Sequence, residues 1–304
     1  MSADHALRSR DRFPVGDGRI VAVPATGGVV LRTIERRPQK VDSSLPPVLL
    51  IHGLASNARM WDGVGAALTR QGITSVAVDL RGHGLSDKPD TGYDFDTVSD
   101  DLVKVLDHFE WPRAIFVGQS WGGNVVVHSA HRHGDRVVGS VPVDGGMIEL
   151  GRVFAEWDQC AHALRPPNLI GTRSGRMDAA IRSMHSDWPE SGIIGALSNF
   201  EVLDDGTIRP WLTLDRHLAI LRHLWEHRPS DLYPKIDRPI LWVPADSGDV
   251  AWTANKDRSI DAATKALAKS RVHWFRPAHH DVHAQHPERL AEVIVSNMKN
   301  GFLT

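Results

Sequence analysis

Cysteine is almost missing from this chain. Cys160 stands alone among 304 residues, so no internal disulfide can form. The expectation that follows is a reducing, cytoplasmic setting. No run of about 18 apolar residues occurs, so no membrane-spanning helix is expected. Residues 1–13, MSADHALRSRDRF, contain no apolar stretch, so no secretory signal is expected either. An excess of one charge is also absent: 35 Lys and Arg stand against 37 Asp and Glu, a net −2. That balance argues against a nucleic-acid partner and against a basic membrane-surface patch. Internal repeats and low-complexity segments are lacking. What remains is ordinary for a globular protein, with 41% hydrophobic and 24% charged residues. The length suffices for one large core, or a core plus an inserted lid.

Residues 1–18 read as a loosely ordered lead-in. Two β-rich stretches, 19–23 and 29–35, flank the turn signal Ala25-Thr26-Gly27-Gly28. A loop at Ser43-Ser44-Leu45-Pro46-Pro47 precedes the continuous apolar run 48–51, the pattern of a strand buried on both faces. Met60, Trp61, Val64, Ala67 and Leu68 then carry helical spacing across 58–71. The rhythm repeats with a strand at 73–78, a helix at 97–109, a strand at 114–117, a helix at 122–133 and a strand at 137–143. Strands alternating with helices across short loops predict an α/β fold: a mostly parallel sheet with helices on both faces. The rhythm stops after Asp144 and resumes with a strand at 240–243, a helix at 255–269, a strand at 272–275 and a helix at 287–298. Between 147 and 233 the patterns are helical, with no clear buried strand, and hold Trp157, Trp188, Trp211 and Trp225. The economical reading is one core domain, 1–146 plus 234–304, interrupted by a helical cap at 147–233. Two independent domains would require the sheet pattern to end and restart by coincidence.

The strongest chemical signal is Gly118-Gln119-Ser120-Trp121-Gly122, between a predicted buried strand and a predicted helix. In that context G-x-S-x-G describes a sharp strand-to-helix turn that lifts a serine Oγ out at the carboxyl end of the sheet, beside a helix N-terminus. Such a nucleophile needs two backbone N–H groups for the oxyanion. Trp121 supplies one, and Leu54, in His52-Gly53-Leu54-Ala55 after an earlier strand, supplies the other. His52 itself reads as a brace for that loop. Near the end of the chain, His279, His280, His283 and His286 compete as general base, since a base histidine belongs between the last strand and the last helix. A metal cluster is the rival, because His279, His283 and His286 would share a face if helical. No acidic or cysteine partner has ligand spacing, however, and Pro287 is expected to open the helix after them, leaving them on a loop.

The motifs HGL, then DLRGHGLSD at 79–87, then GQSWGG, then HDVHAQHPER, occur in an order that resembles the α/β-hydrolase superfamily. The similarity is greater to the branch that contains epoxide hydrolases, haloalkane dehalogenases and many small serine esterases. It covers roughly 45–145 and 235–300. The resemblance implies an eight-stranded, mostly parallel sheet and selects His280 as the base. It implies a structural role for DLRGHG, and no cofactor or metal. The two named activities use an elbow aspartate; Ser120 implies an acyl-enzyme instead. For the acid the resemblance leaves alternatives. Serine members usually place it after the strand read here at 240–243, which offers Asp246 and Asp249 without the common glycine-aspartate spacing. Some branch members place it after the preceding strand, about two dozen residues beyond the nucleophile. Asp144 lies 144 − 120 = 24 residues on and is preferred, with Asp246 as the alternative. The expected activity is hydrolysis of a small or medium ester or lactone with an apolar portion. Carbon–carbon hydrolysis, thioester hydrolysis, perhydrolysis, and ligand sensing with vestigial turnover remain alternatives on the same residues.

Overall fold

The computed structural model describes residues 3–304. Helix α1 (Ala3–Arg10) precedes a hairpin of β1 (Arg19–Pro24) and β2 (Val30–Arg36). Then come β3 (Val48–Ile51), a 3-10 turn at Ala58–Trp61, α2 (Asp62–Arg70), β4 (Ser75–Val78), α3 (Phe95–His108), β5 (Ala114–Gln119), α4 (Trp121–Arg132) and β6 (Val137–Val143). After β6 the chain leaves the sheet for α5 (Leu150–Val153), α6 (Trp157–Ala163), α7 (Ser174–Met184), α8 (Glu190–Leu197), the hairpin β7 (Phe200–Val202) and β8 (Ile208–Pro210), and α9 (Leu214–Glu226). It returns as β9 (Ile240–Trp242), α10 (Val250–Ala266), β10 (Ser270–Val272), α11 (Val282–Gln285) and α12 (Pro287–Lys299).

The sheet runs β1-β2-β4-β3-β5-β6-β9-β10. The hairpin pairs antiparallel, as does β2 with β4, and every other pair is parallel. Every residue of β3, β4, β5 and β6 is buried, as strands covered on both faces require. Val76, Val78, Phe116, Val125 and Leu102 belong to a core on one side of the sheet. Leu50, Val117, Trp61, Ile294 and Phe275 belong to a core on the other. The order along the sheet reverses at β3, between β4 and β5. The crevice at the carboxyl ends of the strands opens at such a reversal. Among the described residues, no helix is long and apolar enough to cross a membrane.

Five local features differ from the sequence reading. Residues 1–18, read as a loosely ordered lead-in, contain the regular helix α1 with Leu7 buried. The helix expected at 58–71 is broken: Asn57 Oδ1 accepts the Arg59 N–H at 2.8 Å and winds a 3-10 turn before α2 begins. The helix expected at 255–269 starts at Val250, because Asp249 caps it by accepting the Trp252 N–H at 2.9 Å. The strand expected at 272–275 begins at Ser270 and continues only as a bridge between Ala245 and Phe275. Segment 147–233 is not helical throughout, since β7 and β8 pair antiparallel there. Gly206, at φ 76°, turns the hairpin, and Asp205 accepts the Thr207 N–H at 2.9 Å.

Buried charge ties the amino-terminal segment to the sheet. Arg59 donates to Asp62 at 2.5 Å, to Asp11 at 2.8 Å, and to the carbonyls of Phe13 and Pro14 at 2.9 Å each. Arg32 bridges Asp11 and Asp79, and Arg36 reaches Asp62 at 2.8 Å. Removing one cation from such a network leaves buried carboxylates short of partners. Arg59→Met should therefore cost about 3 kcal/mol, read as a lower urea midpoint. It should also open 11–18 to limited proteolysis. An unchanged midpoint would show the remaining arginines to be sufficient.

Candidate active site

Ser120 sits between β5 and α4 at φ 53° and ψ −119°, a conformation that costs a non-glycine residue energy and persists only when its surroundings enforce it. The enforcement is close packing. A Cβ on Gly122 would land on the carbonyl of His52, and one on Gly145 would land on that of Ser120. The Ser120 N–H donates to the Val143 carbonyl at 3.0 Å, and its own carbonyl accepts the N–H groups of Gly123 and Asn124. The strained turn is thus clamped between the ends of β3 and β6.

His280 lies on the loop between β10 and α11. Its backbone carbonyl accepts Gln119 Nε2 at 3.3 Å, which ties this loop to the residue before Ser120. Its Nδ1 lies 2.6 Å from Asp144 Oδ2. Asp144 directly follows β6 at φ 42°, and its side chain is 1% exposed while the His280 side chain is 52% exposed. The carboxylate accepts three further bonds: the Ala245 N–H at 3.0 Å, and Lys256 Nζ at 2.7 Å to Oδ1 and 2.8 Å to Oδ2. Burial works against the Asp144 charge, but the His280 hydrogen bond and the His280 and Lys256 charges outweigh it. The carboxyl lies below its usual range. For His280, desolvation opposes protonation. The Asp144 bond and charge, helped by Asp281, prevail and raise the imidazole above its ordinary value.

The loop after β3 carries Leu54. His52 and His83 hold it. His52 Nδ1 lies 2.7 Å from the Gly53 carbonyl, and its Nε2 accepts the Leu80 N–H at 3.0 Å. His83 Nδ1 lies 3.0 Å from the Arg81 carbonyl, and its Nε2 accepts the Ala55 N–H at 3.3 Å. Each ring is therefore neutral with its proton on Nδ1, since Nε2 must accept. Burial drives the same outcome: it pushes His52 down to about 4 and His83 well below its ordinary value. His83 also stacks on Trp121, with ring centroids 5.6 Å apart. Gly53, next to Leu54, packs against Ser120, since a Cβ there would lie 3.1 Å from the Ser120 Cβ, and Trp121 follows Ser120 in the first turn of α4.

Of the acid candidates, the structure brings Asp144 to His280. Asp246 accepts the Gly248 N–H at 2.9 Å and Thr253 Oγ1 at 2.8 Å, and Asp249 caps α10. The remaining histidines separate. His279 is exposed, and His283 is fully buried with its ring 4.4 Å from that of Trp61. His283 lies in α11 rather than on a loop, because one helical turn forms before Pro287. No group of three or more His, Cys, Asp or Glu side chains among the described residues is arranged to hold a metal. Three side chains at the site carried no sequence signal. Lys256 and Gln119 act through partners 112 and 161 residues away, and His83 lay in a segment read as structural. The tryptophans of 147–233 pack among themselves and their neighbours. Trp157 meets Trp225 at 6.1 Å, Trp188 joins Met60 and Ile193, and Trp211 lies under Arg10 and Lys88.

A serine on a strained turn, an imidazole oriented by a buried carboxylate, and backbone N–H groups at the carboxyl crest of a mostly parallel eight-stranded sheet define the α/β-hydrolase fold. The chain belongs to the Alpha/beta hydrolase family, which matches residues 48–293. It is 37% identical over 214 residues to 2-(acetamidomethylene)succinate hydrolase of Mesorhizobium japonicum, covering 69% of this chain and 73% of that protein. To esterase YbfF of Escherichia coli it is 26% identical over 251 residues, covering 82% and 91%. It spans only 40% of the length of an uncharacterized protein of Mycobacterium tuberculosis, at 36% identity over 143 residues. The crystal structure of E-2-(acetamidomethylene)succinate hydrolase superposes with a TM-score of 0.75 at 24% identity, covering 93% of this chain and all of that one.

The buried neutral histidines set the acid limit of the fold. Burial lowers His52 to about 4 and both His227 and His283 to about 3. The unfolded chain binds protons at these positions as pH falls below about 6.5, and the native state does not. The stability they contribute above that value is therefore lost progressively as pH falls toward 4. His280, being raised, works the other way: its contribution is present at low pH and lost as pH rises through its folded value. The three lowered groups, with His83, which burial also pushes well below its ordinary value, outweigh one raised group. The urea midpoint should fall steadily from pH 6.5 to 4.5, and a flat midpoint would contradict the neutral assignments.

Proposed function

We propose that this chain is a serine hydrolase that cleaves a small or medium carboxylic ester or lactone through an acyl-enzyme on Ser120. The observation that carries the reading is the 2.6 Å contact of His280 Nδ1 with the buried Asp144 carboxylate, on a loop bonded to the residue before Ser120. That contact leaves Nε2 as the ring's base. His280 takes the Ser120 proton as Oγ attacks the substrate carbonyl, and the Leu54 and Trp121 N–H groups hold the oxyanion. The imidazolium, stabilised by Asp144, then protonates the leaving alcohol. In the second half His280 takes a proton from water, whose oxygen attacks the acyl carbonyl, and returns that proton to Ser120.

In this reading residues 147–233 form a cap that bounds the acyl pocket. Met147 and Ile148, just past Asp144, supply apolar wall, held by Asn124, whose side chain bonds the Ile148 carbonyl at 2.8 Å and the Gly146 N–H at 2.8 Å. The likeness to 2-(acetamidomethylene)succinate hydrolase favours a second reading, hydrolysis of an amide-type acyl group by the same serine chemistry. The partner is a small molecule in either case, and neither scheme requires a cofactor.

Ser120→Ala should lower p-nitrophenyl ester hydrolysis on the order of 10⁴-fold or more, with unchanged circular dichroism. His280→Ala should be about as damaging, because members of one catalytic unit are not additive, and a strong chelator should change nothing. A Ser120→Ala enzyme near full activity would refute the mechanism.

The acid is tested by charge removal at constant shape. Asp144→Asn should reduce kcat by about 10⁴-fold, since the amide favours the wrong imidazole tautomer. Asp246→Asn and Asp249→Asn should each cost less than about tenfold, because those carboxylates bond local turns and, for Asp246, Arg276, rather than His280. A near-native Asp144→Asn beside a crippled Asp246→Asn would move the acid to the loop after β9.

A further inference from the structure

Lys256 lies on the second turn of α10 and has no step in the acyl-transfer scheme, yet its ammonium is held against the scheme's acid. It is 12% exposed. Its three donors meet three acceptors: Asp144 Oδ1 at 2.7 Å, Asp144 Oδ2 at 2.8 Å and the Ala245 carbonyl at 2.8 Å. None is left to bind substrate. The Asp144 carboxylate in turn accepts four bonds, two from Lys256, one from the Ala245 N–H and one from His280. Four acceptances fill its lone pairs, so rotating the carboxylate would break several bonds at once.

The charge matters as much as the geometry. A buried carboxylate facing only an imidazole would favour the imidazolium, and an imidazole already protonated cannot take a serine proton. A full positive charge on the same two oxygens offsets much of that pull. We propose that Lys256 is a positioning residue, fixing Asp144 toward His280 and keeping the ring a neutral imidazole, protonated on Nδ1 and free at Nε2. The proposal rests on the serine-hydrolase reading above.

The other charged groups at this place are few. Asp281, adjacent in the chain, favours the imidazolium; His185, from α7's end, and His279 act on Asp281, and the buried His283, which burial keeps neutral, faces His280. On the loop after β9, Asp246 is paired with Arg276 at 3.3 Å. Within this set Lys256 is the cation that opposes protonation of His280, and Asp144 is the anion that favours it most.

The test is Lys256→Met, with the His280 imidazole titrated by NMR and its signal assigned by loss in His280→Gln. The expected result is an upward shift of about one pH unit, the scale of one nearby, partly screened charge. The acid limb of kcat/KM should move by the same amount, so that activity lost at pH 7 returns at alkaline pH. Lys256→Arg should stay near the wild-type titration. Lys256→Gln, which keeps a donor but no charge, carries the same test should the methionine variant unfold. An unchanged or lowered His280 titration, or a loss of activity uniform across pH, would reduce Lys256 to a structural tie and overturn the proposal. The titration needs no turnover. Its failure is therefore separable from failure of the hydrolase reading, which Ser120→Ala decides.

Discussion

A carboxylate at 1% exposure survives ionised only where hydrogen bonds and cations replace the water it has lost, and Asp144 is that group here. Its four bonds draw together the end of β6, the loop after β9, the second turn of α10 and the His280 loop. The loop after β9 runs directly into α10, but Asp144 stands 101 residues before Ala245 and 136 before His280. Removing one bond exposes the rest to a costly imbalance, so the geometry of the crest is fixed jointly rather than contact by contact. The backbone contributes too: Asp144 stands at φ 42°, and Gly145 beside it presses on the Ser120 carbonyl. The residue that orients the imidazole and the one that wedges the serine turn are therefore neighbours in the chain.

On the other flank the same crest is held without charge. His52 and His83 each donate through Nδ1 to a carbonyl and accept a backbone N–H at Nε2. Burial enforces that neutral state, and neutrality in turn permits the Nε2 acceptance. The loop carrying Leu54 is thus braced by groups that stay silent at neutral pH, while His280, half exposed and beside a carboxylate, is free to change its charge. Environment, not residue type, separates the two neutral braces from the one histidine able to change its charge.

Much of the scaffold was legible in the sequence. Strands β3 and β6 were readable because burial on both faces demands uninterrupted apolar runs, and the Ser120 turn because only small flanks fit where strand and helix meet so closely. The errors fell where a single side chain redirects the backbone. Asp249 started α10 five residues early, and the Asp205 turn folded a hairpin into a segment whose composition reads as helix. In 147–233 the tryptophans gave no positional signal, since an aromatic that fills an internal core and one that walls a pocket look alike in a sequence.

Local pattern determined the class of sheet, the nucleophile candidate on its strained turn, and the loops on which a base and an acid could stand. Tertiary structure alone decided which partners meet. Asp144 rather than Asp246 faces His280, and Lys256 faces Asp144 across 112 positions of chain. The physical reason is range. Steric strain and hydrophobic periodicity act over a few residues and leave their mark in the sequence, whereas a hydrogen bond or ion pair acts over about 3 Å in space and is indifferent to separation along the chain.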